Sequence, residues 1–244
     1  MNRIIAKSLI AAAALVSFVS CDINKKDDLW KDVYNASVTF RIQEDGSYYL
    51  KQDDTTALVV LNSSLNNYPF KDKKEKRALV QYKLHENPEN KPANPAAEEY
   101  KYTKYVELYS IDTIQTKNPV LYDPNADYGD SSIGLYVSES IFPTTMIEDG
   151  YLNLCFNIPV WYNSKHEINV VYGTNPDDPY ELVVKHKNVN NVIDGQPQAF
   201  IMNFPLKNLP DTGGKTVKVT LKWYSSTQRE MVEKQFDYCS RTDW

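Results

Sequence analysis

The sequence predicts an all-β protein built from a small barrel followed by a sandwich. Apolar and polar residues alternate with a period of two along most of the chain, which is typical of half-buried strands. The chain has 18 tyrosines and abundant Val and Thr, residue types that suit a pleated surface. Asn, Asp, Gly and Pro separate the alternating stretches, as turn formers do. No helix is expected after the N-terminal segment.

The first 21 residues, MNRIIAKSLIAAAALVSFVSC, have the pattern of an exported bacterial lipoprotein. Arg3 and Lys7 precede an apolar run, and Ser20 stands directly before Cys21, where the run stops. Such a segment is a secretory signal, too short to remain as a membrane span. We expect residues 1–20 to be removed and Cys21 to be acylated as the new N-terminus. The alternative is an ordinary secretory signal that contains a Cys near its end.

Residues 21–32 are predicted to form the lipidated Cys and a polar tether. Asp27 and Asp28 resemble the acidic tract that some bacterial groups use to send lipoproteins to the cell surface, although a solvated linker explains them equally well. We therefore expect a membrane-anchored outer membrane lipoprotein of the cell envelope, on either the periplasmic side or the cell surface.

Residues 33–117 are predicted to form the first domain. The predicted strands are one that begins at Val33, then Tyr48–Gln52, Thr56–Leu61, Arg77–His85 and Tyr100–Thr116. Five strands in so short a stretch suit a barrel of the OB type, although periodicity also fits another small barrel. The Pro-rich stretch Asn87–Glu99 has no apolar period and is predicted to be a surface loop.

Residues 118–131 break the alternation with turn formers and are predicted to be an interdomain linker. Residues 132–244 are predicted to form an antiparallel β-sandwich of about seven strands. The predicted strands are Ile133–Val137, Tyr151–Val160, Glu167–Tyr172, Tyr180–Lys185, Gln198–Phe204, Thr216–Tyr224 and Val232–Tyr238.

Three stretches of this sequence resemble the NigD-like lipoprotein family. They are GSYYLKQDDTTALVV (46–60), KEKRALVQYKLHE (74–86) with the following VELYSIDTIQTKNP (106–119), and DGYLNLCFNIPVWYNSKHEINVVY (149–172). The resemblance implies an N-terminal OB domain joined to a C-terminal β-sandwich. It implies no catalytic residues, because the family has no established activity. The Pro-rich insert at residues 87–99 departs from the family pattern.

Charge and cysteine content limit the partners and the chemistry. The chain has 27 basic and 32 acidic residues, whereas a nucleic-acid partner would require a basic stripe, so none is expected. Beyond Cys21 only Cys155 and Cys239 remain. In an oxidising compartment they are candidates for a disulfide, and they could equally be separate buried side chains.

One loop has the start of a calcium-binding pattern. Asp123, Asn125 and Asp127 place oxygen ligands at alternating positions before a glycine, as Ca²⁺ loops do. The glycine comes one place late, and Gly134 stands where a bidentate Glu would be expected. An interdomain turn with solvated acids explains the segment as well. No other cofactor is expected.

The three histidines, His85, His166 and His186, fall on three different strand ends and have no metal-ligand spacing. A structural hydrogen bond is the expected role of His166. Among the many aromatic residues, adjacent pairs on a strand point to opposite faces, so most are expected to pack inside. Tyr102 and Trp161 are the candidates for exposed ligand-binding rings.

These observations predict a non-enzymatic glycan- or protein-binding or structural module of the cell envelope, held at the membrane by its lipid. Two alternatives stay open. One is a glycan-acting hydrolase with paired carboxylates in the second domain, since such enzymes need two facing acids. The other is a subunit of a larger envelope assembly.

Overall fold

The computed structural model describes residues 32–43, 47–61, 75–86, 88–89, 91–138, 140, 142–191 and 195–244. In these ranges it has fifteen strands and one short helix. In chain order they are β1 (Val33–Ile42), β2 (Tyr48–Lys51), β3 (Thr56–Val60), β4 (Lys76–His85), α1 (Pro95–Glu98), β5 (Tyr102–Thr113), β6 (Gln115–Thr116), β7 (Val120–Leu121), β8 (Gly134–Leu135), β9 (Met146–Glu148), β10 (Tyr151–Val160), β11 (His166–Tyr172), β12 (Glu181–Asn188), β13 (Gln196–Pro205), β14 (Val217–Tyr224) and β15 (Met231–Tyr238).

Several predictions concern residues outside these ranges. The signal sequence, Cys21 and the tether up to residue 31 belong to this group, as do the turn at 44–46 and the loop at 62–74. Within the ranges that the structure covers, no helix has the length and hydropathy needed to cross a bilayer.

Strands β1 to β5 close into a barrel in the order β1-β2-β3-β5-β4. β1 pairs with β2 and β4 in antiparallel fashion, and β3 pairs with β5 in parallel. One side of each strand fills the barrel, because successive side chains alternate between the faces. The core includes Val38, Phe40, Leu50, Leu58 and Val80. The predicted small barrel is confirmed.

The sandwich consists of two packed sheets. One has the order β6-β13-β10-β8, with β9 also paired to β10, and the other has the order β15-β14-β12-β11-β7. The predicted inward face of β10 is buried, and so is the predicted inward face of β14 apart from its first residue. Their buried side chains are Leu152, Leu154, Phe156 and Ile158 from β10 and Val219, Leu221 and Trp223 from β14. The predicted β-sandwich is confirmed.

Among the described residues of the sandwich, three ladders are parallel. β12 pairs with β14 in this way because β13, which lies between them in sequence, belongs to the other sheet. The chain therefore leaves the sheet after β12 and re-enters it in the same direction. The two-residue strands β6 and β7 also pair in parallel, with β13 and β11.

The chain passes from the barrel to the sandwich within one residue. Ile114 is buried, and its N–H donates to the carbonyl of Arg77 at 2.9 Å. β6 follows directly and already belongs to a sandwich sheet. The residues predicted as a linker, 118–131, supply β7. Strands of two residues show no alternation, so the sequence pattern does not reveal them.

The predicted surface loop at residues 87–99 contains a helix in the part that the structure describes. This helix is α1, whose first turn is capped by the Asn94 side chain, and Ala97 is fully buried. Asn followed by Pro at the first helical position is a helix-start signal. The prediction was wrong here because so short a helix has no apolar period.

Candidate functional site

An exposed aromatic tip lies where two turns of the sandwich meet. We define it as Trp161, Tyr162 and Val189, which follow β10 and β12. Trp161 is 55% exposed and Tyr162 is 98% exposed, and Val189 is also exposed. Trp161, predicted from the sequence as an exposed ring, is therefore accessible.

Hydrogen bonds between the two turns hold the aromatic tip in place. The Lys165 N–H donates to the Asn190 side-chain oxygen at 2.8 Å, and the Asn190 amide donates to the Asn163 carbonyl at 2.5 Å. The Val189 N–H donates to the Lys165 carbonyl at 2.8 Å. A surface whose backbone is already ordered pays less conformational entropy on binding.

Tyr102, the other predicted ring, begins β5 on the barrel and is half-exposed. The Lys101 ammonium lies 4.9 Å from the centre of the Tyr102 ring, a cation–π geometry. The two predicted rings therefore lie on different parts of the protein, one on the barrel and one on the sandwich.

The predicted calcium residues are engaged within their own loop and by a lysine of β12. Asp123 accepts hydrogen bonds from the N–H and the side-chain amide of Asn125. Asp127 accepts from the Gly129 N–H and forms an ion pair with Lys187 at 2.8 Å. Among the residues that the structure covers, no group of three or more His, Cys, Asp or Glu side chains could hold a metal ion. Calcium binding by this loop stays a prediction.

Cys155 and Cys239 are unpaired thiols in the structure, so they do not form the candidate disulfide. Cys155 is buried in β10, where burial raises the pKa of its thiol to about 12, whereas Cys239 is exposed. The alternative expectation was that both thiols are buried separately, and only Cys155 is buried.

A buried carboxylate, Asp149, connects the sandwich to the barrel. Its oxygens accept hydrogen bonds from the Thr39 hydroxyl at 2.5 Å and from the Arg41 guanidinium at 3.1 Å, both on β1. The Lys51 ammonium of β2 lies 2.6 Å from it. Burial would raise the pKa of Asp149, but Arg41, Lys51 and Thr39 outweigh burial and hold it below its usual value.

A second buried connection is made by Arg77 of β4. Its guanidinium donates to Thr39 and Ser37 on β1 and to Asn153 on β10 at 2.8–2.9 Å. It also contacts Glu148 at 3.3 Å. Burial raises the pKa of Glu148 to about 7, although the charge of Arg77 acts in the opposite direction.

The C-terminal residues add a third connection. Arg241 forms two hydrogen bonds with Glu75, at 2.7 and 2.5 Å, and its guanidinium lies 4.6 Å from the Trp244 ring. The Tyr151 hydroxyl donates a hydrogen bond to the same Glu75 at 2.6 Å, and the Tyr151 ring packs edge-on against Trp244. Asp243 forms an ion pair with Arg41 at 3.0 Å.

The charged residues of these three connections are here called the junction network. They are Arg41, Lys51, Glu75, Arg77, Glu148, Asp149 and Arg241.

A cleft of about 450 Å³ borders the junction network, lined in part by Lys51, Glu148, Asp149 and Arg241. A carboxyl with a pKa near 7 could transfer protons at neutral pH. However, Asp149 cannot serve as a free nucleophile or base, because both of its oxygens are already bound by cations or a hydroxyl. The arrangement is suited to joining the domains.

Two histidines that the sequence placed apart meet in the structure. His166 Nδ1 lies 2.9 Å from His186 Nε2, and His186 Nδ1 lies 2.8 Å from the Ser132 carbonyl. A carbonyl only accepts, so His186 carries its proton on Nδ1 and His166 must donate to it. Burial lowers the pKa of both residues. The predicted structural hydrogen bond of His166 is present.

The comparisons with known proteins match both parts of the chain. Residues 37–114 match the sequence profile of the NigD-like N-terminal OB domain, and residues 127–238 match that of the NigD-like C-terminal beta sandwich domain. The predicted OB domain is thereby confirmed. No curated protein matches the chain.

Solved structures share the fold over most of the chain. A protein of Parabacteroides distasonis described as toxin-related is 25% identical, with a TM-score of 0.64, over 86% of this chain and 94% of that chain. A NigD-like immunity protein of Bacteroides caccae is 17% identical, with a TM-score of 0.55, over 85% and 98% of the two chains. A Bacteroides fragilis protein described as a lipoprotein is 11% identical, with a TM-score of 0.56, over 87% and 100%.

The two profile matches together cover more than half of the sequence, in the order that the barrel and the sandwich take along the chain. The chain belongs to the NigD-like family.

Proposed function

We propose that this chain is a lipid-anchored, non-enzymatic binding protein of the bacterial outer membrane that recognises a protein or glycan through its aromatic tip. The observation that carries the proposal is the aromatic tip itself. Solvent-exposed Trp and Tyr rings cost a protein solubility, and such rings are enriched at the energetic centres of binding surfaces.

The lipid anchor and the envelope location are supported by the lipoprotein pattern that ends at Cys21. They are further supported by the relative described as a lipoprotein. A NigD-like immunity protein and a protein described as toxin-related are among the relatives that share this fold.

One observation favours a hydrolase instead, namely the pKa of about 7 at Glu148. A glycan hydrolase needs a second carboxylate facing the first across a cleft. The neighbouring Asp149 is engaged by Thr39, Arg41 and Lys51, so it is not free to act as that second carboxylate.

The proposal is tested with the chain from residue 22 onward, in a pull-down of envelope proteins and on a glycan array. We expect Trp161→Ala and Tyr162→Ala each to weaken the captured interaction by about ten-fold or more, as for binding hot spots. Tyr109→Ala removes an exposed ring of the barrel and serves as the matched control. Binding that is unaffected by the tip variants, or turnover of an arrayed glycan, would contradict the proposal.

A further inference from the structure

The outer face of β2, β3 and β5 is covered by another part of the chain. In β3, Leu58 packs inside the barrel, whereas Ala57 and Val59 point outward. These two outward side chains are nevertheless buried, and they contact Ala97 of α1. The covering segment, residues 91–101, belongs to the connection between β4 and β5.

Asn94 fastens this segment to the barrel. Its buried side-chain oxygen accepts hydrogen bonds from the Gln43 amide at 2.9 Å and from the Ala97 N–H at 3.1 Å. Its amide donates to the Tyr48 carbonyl at 3.0 Å. The buried polar side chain is thus satisfied by β2 and by the residue that follows β1, as buried polar groups usually are.

Further contacts hold the segment along its length. The Thr103 hydroxyl donates to the Ala97 carbonyl at 2.8 Å. The hydroxyls of Tyr49 and Tyr100 are 3.3 Å apart, with ring centres separated by 5.6 Å. The Lys91 ammonium lies 5.3 Å from the centre of the Tyr105 ring.

OB barrels bind oligosaccharides or oligonucleotides on strands 2 and 3, assisted by the loops that join strands 1–2 and 4–5. In this chain the segment that joins β4 to β5 lies on that face and is bonded to Gln43 beside β1. We propose that residues 91–101 form a lid over the ligand face of the barrel, and that displacing the lid exposes an oligosaccharide site lined by Tyr49 and Tyr105. A nucleic-acid ligand fits poorly, because acidic residues exceed basic ones, 32 to 27.

This site is separate from the aromatic tip and does not depend on the function proposed above. Its lid is tested first by amide hydrogen exchange of the full chain. We expect the amides of Ala97 and Glu98, which donate to Asn94, to be protected, and Asn94→Ala to speed their exchange by ten-fold or more. Asn125→Ala, in a loop of the sandwich, is the control. Exchange of both amides at the rate of an unstructured peptide in the unaltered chain would overturn the lid.

The ligand class is tested on a glycan array with a full chain in which residues 91–101 are replaced by a Gly–Ser linker of equal length. We expect this variant to bind oligosaccharides that the unaltered chain does not bind, and Tyr49→Ala in the same variant to abolish the gained signals. Circular dichroism establishes that the variant is folded before the array is read. A folded variant that gains no glycan signal would overturn the assignment of an oligosaccharide site.

Discussion

At the scale of single residues, Asp149 is the side chain on which the junction network depends. Asn has the same shape as Asp and tolerates the positive φ of 50° at position 149, so the variant Asp149→Asn removes mainly the charge of the side chain. Arg41, Lys51 and Arg241 would then lie close together around a neutral group. We expect the free energy of unfolding to fall by about 3–5 kcal/mol, as when one partner of a buried ion pair is lost. Denaturant unfolding measures this loss.

Asp54→Asn is the matched control, because Asp54 contacts the same Lys51 ammonium at 3.2 Å from a side chain that is 78% exposed. Exposed ion pairs contribute less than about 1 kcal/mol. Equal losses for the two variants would show that Asp149 has no special role.

The free energy of unfolding depends on pH because Glu148 titrates differently in the folded and unfolded protein. Burial raises its pKa in the folded protein to about 7, from an ordinary value of 4.5. Between these values the folded state binds more protons than the unfolded state, so this contribution to stability is lost as the pH rises toward 7. Glu148→Gln cannot titrate and removes the contribution.

We therefore expect wild type to lose stability relative to Glu148→Gln between pH 5 and pH 8, by on the order of 1–3 kcal/mol. His166 and His186, whose pKa values are lowered, change the free energy of unfolding with pH in the opposite direction. Both proteins contain these histidines, so the comparison cancels their effect. Parallel stability curves for the two proteins would contradict the raised pKa of Glu148.

At the scale of elements, the loop before β8 is seated on β12 by a close backbone approach. Gly129 has a φ of 72°, and a Cβ there would lie 2.6 Å from the Cα of Lys187. We expect Gly129→Ala to reduce the free energy of unfolding by about 3 kcal/mol or more, from positive φ and the clash together.

Gly213→Ala separates the two causes, because Gly213 has a φ of 60° but nothing within 4 Å of its added Cβ. Its cost is expected to be about 1–2 kcal/mol, from the left-handed backbone alone. Thermal unfolding of both variants makes the comparison. A Gly129→Ala protein as stable as Gly213→Ala would show that the loop is not tightly seated.

Long elements could be predicted from the sequence, whereas short ones could not. The alternation of Leu152, Leu154, Phe156 and Ile158 places the inward face of β10 correctly, because burial on one face imposes a period of two. Strands such as β6 and β7 depend on pairing with distant residues, which leaves no local pattern. The same holds for α1, whose stability comes from Asn94 and from the barrel face beneath it.

The candidate site was predicted only in part, for a related reason. Trp161 is one of the two rings that the sequence analysis expects to be exposed, and the structure shows this exposure. The junction network was missed because Arg77 and Asp149 look like ordinary polar residues of a strand and a turn. Their burial arises only when the barrel and the sandwich meet. Likewise His166 and His186 become neighbours only through the pairing of β11 with β12.

At the scale of the whole molecule, barrel and sandwich are joined by buried charges of both domains. Arg77 and Arg41 come from the barrel, Glu148 and Asp149 from the turn before β10, and Arg241 from the C-terminal residues. Each of these buried charges has a partner of opposite charge from the other domain, as a buried charge requires. The aromatic tip and the barrel lid are thus presented on one firmly joined protein.

The central proposal is that this joined protein works at a membrane to which Cys21 tethers it. The most direct test is the intact mass of the N-terminal peptide from cells that express the full chain, with Cys21→Ser as the control. We expect the mature peptide to begin at Cys21 and to carry acyl chains, since two or more chains give stable anchoring. The control should carry no lipid. A wild-type peptide that keeps residues 1–20, or that begins at or near Cys21 without lipid, would contradict the account.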